Sequence, residues 1–122
     1  MFTTRDKSNY LRGLLILAKM NNKLAEAEKI IIEDVAKRLG FSRDFYKEVL
    51  DNLLENQYIS NQPVKFSDKK IAKLFIEEGI NLFYSENDSS PDELLWLKKV
   101  TQVNNVENEF LATILEKKKI TE

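Results

Sequence analysis

Residues 14–41 form a helical face, a polar stop at Asn21-Asn22 and a second helical face, and this arrangement recurs 65 positions later over residues 79–106. Leu15 aligns with Ile80, Leu17 with Leu82, Ala18 with Phe83, Glu28 with Glu93, Ile30 with Leu95, Ile31 with Trp96 and Val35 with Val100. The correspondence continues through Phe41 and Val106, Phe45 and Phe110, Val49 and Ile114, and Leu50 and Leu115. Apolar class is kept at nearly every core position, and the helix breaks fall at matching places. Two helical units with complementary apolar faces predict one bundle around a pseudo-twofold.

The local signals divide the chain into helices. Residues 1–6 read as a frayed lead-in. A first helix begins near Ser8 and carries Leu11, Leu14, Leu15 and Ala18 at one-stripe spacing. A second covers about 25–39, with Ala27, Ile30, Ile31, Val35 and Leu39 as its core face and Ile32 off that stripe. Gly40 is a C-cap residue, and Ser42 an N-cap for a third helix with apolar positions Phe45, Val49, Leu50, Leu53 and Leu54. Residues 58–66 lack helical period and contain Pro63, so they form a connector. Ser67-Asp68 restarts a helix carrying Ile71, Leu74, Phe75, Ile80, Leu82 and Phe83. Ser90-Pro91-Asp92-Glu93 is a capping box with Pro at the first helical position. The next helix holds Leu94 to Leu97, Val100 and Val103, and stops at Asn104-Asn105, with Asn105 a candidate N-cap. A last helix carries Val106, Phe110, Leu111, Ile114 and Leu115, and ends in Lys117, Lys118 and Lys119. The expectation is a single all-α domain over 1–122, a compact bundle of five to seven helices. Half one spans about 8–57, the connector 58–66 and half two about 67–119.

Composition removes several functions. The 122 residues include neither Cys nor His, so thiolate chemistry, disulfides and the commonest general base are absent. A net charge of -1 gives no pull toward nucleic acid. The basic clusters Lys69-Lys70 and 117–119 read as solvated helix ends. Residues 42–57 mix Arg43 and Lys47 with Asp44, Glu48, Asp51 and Glu55, a face that repels phosphate. The apolar run at 13–18 is too short for a secretory segment, and nothing approaches the ~20 apolar residues of a membrane span. A soluble, cytoplasmic protein is expected.

The repeat and its turns resemble the tellurite-resistance TerB-like family, a small all-α fold of two related helical halves. That family's motif is a helix, Asp-Gly, an aliphatic two residues after the Gly, and Glu four after that. Here Asn21-Asn22 stands in the Asp-Gly place, Leu24 is the aliphatic and Glu28 the Glu. Ala-Lys-Arg-Leu-Gly-Phe at 36–41 matches the closing small-x-x-Leu-Gly-apolar run. In the second half Glu86-Asn87 replaces Asp-Gly, Ser89 replaces the aliphatic and Glu93 is kept. The resemblance spans about 9–115. It implies a stress-response or membrane-linked assembly and metal binding through acidic residues at the turns; the first turn has neither the carboxylate nor the Gly that this would use.

Two features bear on function directly. Glu86, Asp88, Asp92 and Glu93 offer oxygen ligands for a hard divalent cation such as calcium. An EF-hand loop fails, because Pro91 takes the position that needs Gly and Leu97 the position of the bidentate Glu. A capped helix start explains the same residues. The apolar runs Ile30-Ile31-Ile32 and Leu94 to Leu97 are wider than one helix face, so either those helices are central or part of each run is exposed and meets a partner. The central placement is the simpler expectation. No catalytic, cofactor or metal residue is assigned, and no enzyme is expected. The chain reads as a protein-interaction or scaffold domain, with a partner protein or self-association and no nucleic acid. A cation sensor using Glu86, Asp88 and Glu93 is the alternative.

Overall fold

The computed structural model describes residues 2–20, 26–52, 61–84 and 91–121, with side chains to Lys118. Among the described residues six α-helices follow one another: α1 (Thr4–Met20), α2 (Glu26–Arg38), α3 (Arg43–Asp51), α4 (Lys69–Tyr84), α5 (Pro91–Val103) and α6 (Asn108–Thr121). No strand occurs among the described residues. The fold is an all-α bundle, as the periodicity requires.

Helix limits carry the repeat. The first residues of α4, α5 and α6 each lie 65 positions after those of α1, α2 and α3. The α2–α3 junction is built from Leu39 N–H to Val35 O, Gly40 N–H to Lys37 O and Phe41 N–H to Ala36 O. The α5–α6 junction repeats those bonds as Asn104 to Val100, Asn105 to Gln102 and Val106 to Thr101. Each is a Schellman-type stop that needs a left-handed residue, supplied by Gly40 at φ 91° and Asn105 at φ 56°. Asn105 therefore ends α5 and does not cap α6, which begins three residues later. Glycine and asparagine are the residues that enter this backbone region at least cost.

α1 and α4 form the centre. They pack on each other; α1 also meets α2 and α5, and α4 also meets α5 and α6, while α3 lies on α2. Encirclement explains why Leu14, Leu15, Ile16, Leu17 and Ala18 are all buried, well beyond one stripe. Gly13 lets the ring of Phe75 lie on α1, since a Cβ there would stand 2.4 Å from Phe75 Cζ.

Three expectations are corrected. α1 starts at Thr4 because Thr3 and Asp6 form a reciprocal cap: the Asp6 N–H donates to Thr3 Oγ1 and the Thr3 N–H to Asp6 Oδ2, each at 3.0 Å. The core face of α2 is turned by one residue: Ile32 is 0% exposed and Ile30 is 60% exposed. The face runs through Glu28, Ile32, Val35 and Ala36, and α5 repeats it with Glu93, Leu97, Val100 and Thr101. Leu95, the counterpart of Ile30, is 54% exposed, so neither helix is central and the wide apolar runs are partly bare. On α3, Tyr46 is buried where Phe45 was expected; Phe45 stacks instead on Phe41 at 5.5 Å. Leu53 and Leu54 lie outside the described residues.

Residues 61–66 cross the bundle without regular structure, yet Val64 and Phe66 are buried. Side chains from both halves hold them. Trp96 Nε1–H donates to Asn61 O at 2.8 Å. Asn104 Nδ2 donates to Val64 O at 2.9 Å, while its Oδ1 accepts from Phe66 N–H at 2.8 Å. Asn9 Nδ2 donates to Lys65 O at 3.0 Å. Asp6 accepts from Ser67 N–H at 2.9 Å and from Ser67 Oγ–H at 2.6 Å. The Phe66 ring lies 5.4 Å from Phe75 and 6.0 Å from Tyr10.

Candidate functional site

A groove of about 660 Å³ lies between α1, α2 and α4. α1 contributes Lys7 and Tyr10, α2 contributes Val35 and Arg38 with Leu39 just past its end, and α4 contributes Leu74, Glu77, Glu78 and Asn81, with Phe2 also in the lining. The helical period explains this grouping. Residues 74, 77, 78 and 81 rise along one side of α4, and 35, 38 and 39 along the facing side of α2. Leu74 is 52% exposed, an unusual position for a large aliphatic beside a half-buried Leu39.

The polar edge of the groove is organised by Arg38. Its Nη2 donates to Glu78 at 3.1 Å and its Nε to Asp34 at 3.0 Å. Burial disfavours the Arg38 cation, but the Glu78 and Asp34 carboxylates outweigh it and raise its pKa further. The Tyr10 phenol is pushed well above its ordinary value, first by burial and then by the negative charge of Glu78. It stays protonated at any physiological pH. The groove thus joins apolar walls from Tyr10, Val35, Leu39 and Leu74 to a polar edge of Lys7, Arg38, Glu77, Glu78 and Asn81. Such a surface can accommodate an apolar segment.

The expected cation ligands are not gathered by what is described. Glu86 and Asp88 lie outside the described residues. Asp92 is exposed on α5, whereas its neighbour Glu93 is buried. Among the described residues no three acidic side chains are grouped as a metal would require. Glu93 is the repeat counterpart of Glu28: each is the third residue of its helix, and they are 1% and 0% exposed. Both residues interact with other groups of the protein. Lys69, Lys70 and Lys117 are exposed at helix ends.

Sequence reasoning missed the groove residues Tyr10, Arg38 and Glu78, and named Leu39 only as a core position of the second helix. Tyr10 aligns with Phe75, and Leu39 with Asn104, so the repeat register marked both as positions of consequence. Nothing local marked Arg38 or Glu78, whose partnership spans 40 residues. Among the described residues no helix is long and apolar enough to cross a membrane. Compared with known proteins, the chain matches no family model, no curated relative and no solved structure.

Proposed function

We propose that this chain is a non-catalytic protein-interaction module, TerB-like in its repeat, acting in the cytoplasm within a stress-response or membrane-linked assembly. The observation that carries the interaction reading is the groove between α1, α2 and α4, with exposed Leu74 on its rim and Leu39, Val35 and Tyr10 in its walls. Exposed Ile30 and Leu95 add apolar surface at matched positions of the two halves. The TerB-like reading is supported by the repeated three-helix unit and by burial of both motif glutamates, Glu28 and Glu93, at the same helix position. The stress and membrane context comes from the resemblance alone.

Purification of the tagged chain from its own cells tests the module. A partner is expected to co-purify with the wild type, to rebind when both proteins are pure, and to be lost with Leu74→Glu. A chain that stays alone, or a partner indifferent to Leu74→Glu and to Ile30→Glu, ends the proposal.

A further inference from the structure

The 65-residue repeat relates this groove to a second seat in the protein, which the connector fills. The connector residues Val64 and Phe66 sit against Gly13 and Asn9 of α1, Phe75 of α4 and Asn104 just past the end of α5. A Cβ on Gly13 would lie 3.2 Å from Val64 Cγ2. The Phe75 ring is 5.4 Å from Phe66, and the Asn9 and Asn104 amides hold the main chain of residues 64–66. Shifted by the 65-residue repeat, those four positions become Glu78, Leu74, Tyr10 and Leu39. All four line the open groove. The groove is therefore the first half's copy of the connector seat.

The geometry points to an extended segment of a partner protein as its occupant, carrying two apolar side chains two residues apart in the manner of Val64 and Phe66. This rests on the interaction reading above and adds the conformation and pattern of what is bound. An extended backbone presents residues i and i+2 on one side, so such a segment places both apolar groups in the groove together. The differences between the two seats define the selectivity. Leucines replace the amides at Asn104 and Asn9, so the open groove grips side chains and not main chain. Glu78 replaces Gly13 and is drawn toward Arg38, 3.1 Å away. An apolar pair like Val64 and Phe66 fits this exchange, with its edge facing the Arg38–Glu78 pair.

The test uses the full chain, isotope-labelled, and a synthetic peptide copying residues 61–67. A control peptide carries Ser in place of the Val64 and Phe66 copies. Saturable shifts are expected at the amides of Leu39, Leu74 and Asn81, with a Kd of about 1 mM or tighter. The control is expected to bind about tenfold more weakly or worse, a loss of about 1.4 kcal/mol. Leu74→Glu should abolish the shifts while leaving the thermal transition in place; if it unfolds the protein, Leu74→Gln replaces it. No shift at several millimolar peptide, equal binding of the control, or shifts confined to the connector's own seat would each overturn the inference. A partner captured through Ile30 instead would keep the module and end this assignment.

Discussion

Asp6 shows how much one residue can hold. Its carboxylate caps α1 and also ties the start of α4 through Ser67, 61 positions away. Burial raises its pKa, but the hydrogen bonds from Ser67 and Thr3 outweigh that and bring it from 3.8 down to about 2. The folded state thus favours the ionised form. Its contribution is complete above the unfolded pKa near 4 and is lost as pH falls through the folded value of about 2. Asp6→Ala should cost about 1–2 kcal/mol at neutral pH, in the range of a lost cap. In urea unfolding, the gap between variant and wild type should close between those two pH values. Asn104 is a second single-residue clamp. Asn104→Leu, which copies the counterpart Leu39, leaves the buried Phe66 N–H without its acceptor and should cost about 1–3 kcal/mol. Neither role was legible beforehand. Asp6 sat in an apparent lead-in, and Asn104 looked like a helix stop, because the partners of both are remote in sequence.

The helices were legible where local chemistry decides them. Pro91 begins α5, Gly40 ends α2 and the Ser42 hydroxyl accepts from the Phe45 N–H, all from signals within four residues. The buried face of α2 was not. Counting apolar residues favoured Ile30 and Ile31, whereas the face includes a carboxylate, Glu28, and a small residue, Ala36. The aligned glutamates were visible in the repeat and would have turned the helix to its observed side. Urea unfolding separates the two assignments. Ile32→Ala should cost about 2–4 kcal/mol as a core truncation. Ile30→Ala, at an exposed site, should stay within about 0.5 kcal/mol.

Across the whole molecule, the repeat accounts for helix order and limits, and its breaches account for the groove. Trp96 against Ile31 and Asn104 against Leu39 are the substitutions that let the second half clasp the connector while the first half keeps an open site. The halves are not independent, because α1 is enclosed by α4 and α5 as well as by its own α2. A fragment of residues 1–52 should therefore show no cooperative unfolding transition in calorimetry, while the full chain melts as one unit.

The enclosure of α1 also orders events in time. During synthesis Leu14, Ile16 and Leu17 emerge before α4 can cover them, so the nascent chain carries a bare aliphatic ridge until its later half is made. That interval favours chaperone capture or premature association over autonomous maturation. Slowing translation after residue 52 should accordingly lower the yield of native protein.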